Sequence, residues 1–190
     1  MIGAMNDYTD QTGNIPPEAG NVNLWAPWRI EYIQSLSDDD DGCFLCRYRD
    51  DKRSKDAENL LLWRGKNCFA VMNRFPYTGG HMLVAPLEHV AGLEDLSGAV
   101  MCEMMEMVRD LQVALKRAIG AHGFNVGMNI GRCAGAGLPG HLHLHVVPRW
   151  NGDTNFMSVL GDMRVIPQAL SQLHRQLRNV SSELELPKLS

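Results

Sequence analysis

His141-Leu142-His143-Leu144-His145-Val146-Val147 sets three of the chain's seven histidines at every second position of an apolar run. Successive side chains of a strand point to opposite faces. As a strand, this run places all three imidazoles on one face and sends Leu142, Leu144 and Val146 into a core. Imidazole is the side chain best suited to proton transfer, nucleophilic attack and metal ligation near neutral pH. A solvent-facing polar strand is the plain alternative, and a metal centre built on the His-x-His pair is the chemical rival. The run leaves a glycine-rich loop, Asn129-Ile130-Gly131-Arg132-Cys133-Ala134-Gly135-Ala136-Gly137-Leu138-Pro139-Gly140. Small residues let backbone N–H groups approach an anion closely. Such a loop beside three histidines puts phosphate donors next to a nucleophile and its acid/base partners.

With 190 residues, 45% of them hydrophobic, the chain can bury one core and requires no second domain. Its net charge of −4 argues against sequence-independent nucleic-acid binding, which needs a basic face. A loop of amides holds a mononucleotide phosphate without net positive charge. Residues 1–23 are polar and contain no apolar signal core, and no run approaches the roughly 20 apolar residues of a membrane span. A cytoplasmic protein that avoids membranes is therefore expected.

Five cysteines, an odd number, do not suggest a disulfide framework. The informative pair is Cys43-Phe44-Leu45-Cys46. In a reducing compartment a CxxC is redox-active, half of a zinc site, or two buried thiols. The acidic run Asp38-Asp39-Asp40-Asp41-Gly42 reads as a solvated loop rather than a calcium site.

Residues 1–23, with Pro16-Pro17 and scattered Gly and Asn, read as a disordered arm, and residues 24–190 as one domain. Residues 59–64 and 68–73 alternate as a hairpin around Gly65-Lys66-Asn67. Met82–Pro86, Phe124–Ile130 and His141–Pro148 read as further strands. Between Ser97 and Ala121, Val100, Met101, Met104, Met105, Val108, Leu111, Leu115 and Ile119 recur at helical steps behind a Ser97 cap. That methionine-rich stripe fits core or dimer packing better than a ligand box. Pro167 opens an amphipathic segment carrying Leu170, Leu173, Leu177 and Val180. The sum is an α+β domain: a mainly antiparallel sheet, one long helix and a C-terminal helix.

The run His141–Val147 matches the pattern His-φ-His-φ-His-φ-φ, and the chain resembles the histidine triad (HIT) superfamily of nucleotidyl transferases and hydrolases. Asn73-Arg74-Phe75-Pro76-Tyr77-Thr78-Gly79-Gly80-His81-Met82-Leu83-Val84-Ala85-Pro86-Leu87-Glu88-His89-Val90 is similar to that family's first half-site. Leu24–Ile33 and Pro148–Phe156 resemble the bacterial branch that includes diadenosine tetraphosphate (Ap4A) phosphorylases. These motifs extend over roughly residues 24–167 and are specific in combination.

The resemblance implies a HIT-like fold, a homodimer, and roles for particular residues. His143 is the expected nucleophile, attacking an α-phosphorus to form a covalent nucleotidyl-histidine. His145 and His81 are expected to assist, although His81 also fits a buried histidine bonded to backbone. Asn129, Gly135, Ala136 and Gly137 would hold phosphate. Asn73 stands where members reach the ribose, most often with Asp. Leu45 and Phe75, beside Arg74, would line the base, and Trp150 would stack on a second base; packing accounts for these side chains equally well. Many relatives complete a zinc tetrahedron from a CxxC pair and two histidines, here Cys43, Cys46, His89 and His141. The implied zinc is structural, with no organic cofactor, and assigning His141 to it removes that histidine from proton transfer.

Many hydrolytic members carry Gln or Ser three to four residues before the first triad histidine, where this chain has Gly137 and Leu138. Losing that donor for water tilts the expectation towards phosphorolysis. The expected reaction is dinucleoside tetraphosphate, with adenine the expected base, plus inorganic phosphate, giving ATP and ADP. The alternatives are a hydrolase of Ap4A, phosphoramidates or aminoacyl adenylates, and a non-enzymatic nucleotide-binding dimer.

Overall fold

The hairpin around Gly65 is the seed of the sheet. In a computed structural model that describes residues 42–153 and 168–189, β1 (Leu61–Arg64) and β2 (Cys68–Met72) pair antiparallel, with Arg64 opposite Phe69. The expected arm at 1–23, the Leu24–Ile33 motif, Asp38–Asp41, Thr154–Phe156 and Pro167 lie outside the described residues. β3 (Met82–Pro86) continues the sheet beside β2, then β5 (Leu144–Arg149), with β4 (Gly123–Met128) at the end. Every neighbouring pair in the order β1-β2-β3-β5-β4 is antiparallel.

Three helices accompany it: α1 (Phe44–Asp50), α2 (Gly98–Ile119) and α3 (Leu170–Glu183). Ser97 caps α2 as expected, its hydroxyl accepting from the Val100 N–H at 3.4 Å. Gly120 ends the helix in the left-handed conformation, φ 61°, which costs glycine nothing. α1 was not expected: its seven residues are too few to show a period.

The two faces of the sheet bury different sets. Leu62, Ala70, Met72, Met82, Val84, Leu144 and Val146 pack with α2 and α3 in the larger core. Leu61, Phe69, Val71, Leu83 and Ala85 pack with Leu45 and Tyr48 of α1 on the other face. The stripe on α2 is offset from the expected one. Met104 and Met107 are buried, whereas Met101 and Met105 are exposed. Positions 101 and 105 sit about 100° around the helix from 100 and 104, on the flank that the sheet leaves open.

Two charged groups are also buried on α2. The Glu103 carboxylate accepts from the Asn67 backbone N–H at 3.0 Å and from its side-chain amide, and Cys68 Sγ approaches to 3.6 Å. It thereby satisfies the turn of the β1–β2 hairpin. A Cβ on Gly65 would meet Glu103 Oε1 at 2.1 Å, so the turn needs glycine there. Glu103→Ala strands the half-buried Asn67 N–H and is expected to cost about 1 kcal/mol, up to about 3. In a chain of this size that lowers Tm by roughly 2–4 °C per kcal/mol, read by thermal melting; an unchanged Tm would show that water replaces the carboxylate. Asp110 accepts from the Lys188 N–H at 2.6 Å and so ties the C-terminal segment to α2. α3 docks through His174, whose Nε2–H donates to the Leu61 carbonyl, and through Ser181, which accepts from the Trp63 indole.

Candidate functional site

The histidine run alternates as expected, but its strand begins at Leu144 rather than His141. Val84 pairs with Leu144, and two residues further along β3 ends at Pro86, which has no N–H to donate. Residues 141–143 leave the ladder there. The Leu142 N–H donates instead to the Val90 carbonyl at 2.7 Å. At its other end β5 runs one residue past the expected Pro148, pairing Arg149 with Gly123.

Across an antiparallel ladder, opposed residues project to the same face. His145 stands opposite Leu83 and Gly127, so it shares the sheet face that carries α1 and not the face covered by α2. Leu142, Leu144 and Val146 are buried in the larger core. The imidazole rings of His143 and His145 lie 4.9 Å apart, edge to face.

Each imidazole is oriented by a different partner. His143 is 6% exposed, and its Nδ1 lies 2.8 Å from the His141 carbonyl oxygen. A carbonyl only accepts, so the proton is on Nδ1 and the lone pair is on Nε2. Burial pulls the pKa of His143 below the ordinary histidine value, partly offset by that hydrogen bond. His81 and His145 meet through Nε2 and Nδ1 at 2.9 Å. Tyr77, which the sequence did not single out, lies against both, with ring centroids 4.6 Å from His81 and 5.9 Å from His145. Its place four residues before His81 was the available signal, but an aromatic in a loop ordinarily signals packing.

The other expected residues are placed as follows. The Asn73 side chain is engaged within its own turn: Oδ1 accepts from the Phe75 N–H at 2.9 Å, and Nδ2 lies 3.3 Å from His81 Nδ1. Phe75 is 64% exposed, whereas Leu45 is fully buried in the smaller core. In the glycine-rich loop, Gly131 and Gly135 take φ values of 80° and 84° around a single turn of 3-10 helix at Arg132–Ala134. Asn129 Nδ2 reaches the Gly135 carbonyl at 3.4 Å and braces the loop, where Ala136 is buried and Gly137 half-buried. Trp150 is half-buried and donates its indole N–H to the Ile119 carbonyl at 3.1 Å. Arg149 is paired with Asp153 on the surface.

Cys43, Cys46, His89 and His141 converge beside the triad, all four ligand atoms lying within 4.8 Å of one another. Cys43 Sγ is 3.1 Å from His141 Nδ1, and Cys46 Sγ is 3.2 Å from His89 Nδ1. Tetrahedral zinc with two sulfurs and two nitrogens spaces its ligands by roughly 3.3–3.8 Å, so the donor set and spacing fit. The second shell fits as well: His141 Nε2–H donates to the Pro86 carbonyl at 2.9 Å, leaving Nδ1 as the ligand atom. Burial lowers the His141 pKa to about 4, which keeps the ring neutral. It also raises the Cys43 thiol to about 11, an unfavourable place for a thiolate unless a cation shares it.

The HIT domain family model matches residues 54–152. A Mycobacterium tuberculosis protein named AP-4-A phosphorylase is 39% identical over 158 residues, which cover 81% of each chain. The crystal structure of a zinc-bound histidine triad family protein from Mycobacterium smegmatis superposes with a TM-score of 0.61 at 29% identity, covering 76% of this chain and 96% of that one. An asymmetrical bis(5'-nucleosyl)-tetraphosphatase from Schizosaccharomyces pombe is 32% identical over 93 residues, about half of each chain (49% and 50%). The family match takes in both half-sites and the oriented histidines: this chain belongs to the HIT domain family.

Proposed function

We propose that this chain is a dinucleoside polyphosphate phosphorylase, converting Ap4A and inorganic phosphate to ATP and ADP through nucleotidyl-His143. The observation that carries this reading is the His143 Nδ1–H bond to the His141 carbonyl, which aims the Nε2 lone pair for attack. His143 Nε2 bonds to the α-phosphorus as the phosphoanhydride bond breaks and ATP departs. Phosphate then attacks the same phosphorus, releasing ADP and restoring the imidazole. His145, tied to His81, and the amides around Gly135–Gly137 donate to the charged phosphoryl oxygens. In this reading the exposed Phe75 takes the base, Asn73 the ribose, and Trp150 stacks on the second base. The 39% identity to the M. tuberculosis AP-4-A phosphorylase over four-fifths of both chains (81%) favours this donor. Water in place of phosphate gives the second reading, a hydrolase, favoured by the S. pombe relative's name over half the chain (49%). Quenching a reaction with α-labelled Ap4A in alkali, then mapping the label, tests the covalent step. Label on His143 is expected, and none on any histidine would refute it.

A neutral nucleophile sets the pH dependence. The lowered His143 pKa keeps the ring unprotonated down to lower pH. On acidification, kcat/KM is therefore expected to fall only below the ordinary histidine pKa of about 6.5. An acidic limb at or above pH 7 would show that another group governs the step.

Cys43, Cys46, His89 and His141 would hold a structural zinc, which supplies a cross-link between the α1 segment and the catalytic run. The exposed Val126 and Ile130 on and just after terminal strand β4 support a homodimer built along that edge. No helix among the described residues is long and apolar enough to cross a membrane. The unbridged thiols Cys43 and Cys46 suit a reducing cytoplasm.

A further inference from the structure

The segment between β2 and β3 is stitched at its base and to the catalytic strand. The Asn73 N–H donates to the His81 carbonyl at 2.9 Å, the His81 N–H to the Thr78 carbonyl at 3.2 Å, and Thr78 Oγ1–H to the Pro148 carbonyl at 3.1 Å. Inside this frame two donors converge on one nitrogen. The Tyr77 backbone N–H points at His81 Nδ1 from 3.1 Å. The Asn73 carboxamide approaches the same nitrogen at 3.3 Å, and its orientation is settled because Oδ1 accepts from the Phe75 N–H. An N–H only donates, so His81 Nδ1 is an acceptor and the ring proton is on Nε2. That proton is donated to His145 Nδ1 at 2.9 Å, which in turn places the His145 proton on Nε2.

We propose that Tyr77 is a positioning residue, fixing the His81–His145 pair so that His145 presents Nε2–H to the phosphoryl group. Its amide sets the tautomer of His81. Its ring lies against both imidazoles, inclined 32° to His81 and 22° to His145, and limits how far either can tilt. The Nε2–H of His145 is thus held ready for the charge that develops on the phosphorus oxygens.

The role of His145 as donor to phosphate rests on the proposed function, whereas the tautomer and the ring packing do not. Two measurements therefore separate them. Long-range 1H–15N correlation spectra of the wild-type protein without nucleotide, at about pH 8.5 where free histidine is neutral, are expected to show His81 and His145 protonated on Nε2. In Tyr77→Ala, which keeps the backbone amide and therefore the His81 tautomer, the His145 resonances should broaden as the ring contact is lost, and in Tyr77→Phe they should stay as in wild type. With Ap4A, Tyr77→Ala is expected to lose roughly 10–100-fold in kcat, the scale of a misplaced catalytic group, with KM within about twofold, and Tyr77→Phe to restore it. A proton on His81 Nδ1, or Tyr77→Ala spectra unchanged from wild type, overturns the proposal. Absence of Ap4A turnover by the wild type, with the expected spectra, overturns only the substrate reading.

Discussion

Replacing His143 by alanine is expected to abolish turnover, with kcat falling at least about 10⁴-fold, the scale seen when a covalent nucleophile is removed from a site that otherwise stays intact. The loss should appear in the first chemical step. His143→Ala should bind Ap4A and yield neither ATP nor a labelled protein. Binding should survive because the groups assigned to the base, ribose and phosphates lie on other residues. His143 donates to the His141 carbonyl of its own run, so its removal leaves no distant donor stranded. Residual activity above about a hundredth of wild type, judged against the 10⁴-fold expectation, would mean that phosphate or water attacks the nucleotide directly. Such a result would also leave room for a protein whose nucleotide binding, rather than turnover, matters to a partner.

Removing zinc should act first on stability. A metal held only by the folded state contributes about 4 kcal/mol when its free concentration is about a thousand times its dissociation constant. Converted at roughly 2–4 °C per kcal/mol, chelation is expected to lower Tm by about 8–16 °C. Cys43→Ala and Cys46→Ala should melt near the chelated wild type and gain nothing from added zinc, which metal analysis and calorimetry can check together. Below the melting range of the chelated protein, turnover should persist, because Cys43, Cys46, His89 and His141 would together complete a tetrahedral zinc and leave no position for substrate. Immediate loss of activity in protein that remains folded, restored at once by zinc, would assign the metal to the chemistry.

The fold was legible where the chain's periodicity and its neighbours agree. Leu142, Leu144 and Val146 alternate with the histidines and are buried, and Gly65-Lys66-Asn67 is the expected hairpin turn. What stayed hidden depends on contacts distant in sequence. Pro86 ends its strand and so releases His141–His143 from the ladder, a consequence of register that the triad alone does not contain. Glu103 and Asp110 carry no signal of burial in the sequence, yet each is buried against backbone N–H groups from Asn67 and Lys188. The helical stripe read from the sequence includes Met101 and omits Met107, yet Met107 is buried and Met101 exposed.

The candidate site shows the same division. The four metal-type ligands converge as the motifs imply, and His81 reaches His145. The Nδ1 acceptor on His141 and the donor on His143 could not be read from residue types, because each depends on a carbonyl, that of Pro86 and that of His141. Asn73 and Tyr77 meet at His81 only once the segment between β2 and β3 has closed. Their convergence is a property of the folded loop.

Chromatographic product analysis of purified protein with Ap4A, with and without inorganic phosphate, decides whether phosphate or water resolves nucleotidyl-His143. Equal amounts of ATP and ADP are expected, formed only when phosphate is present. Formation of ATP and AMP without a phosphate requirement would contradict phosphorolysis and assign the chain to the hydrolases of its family.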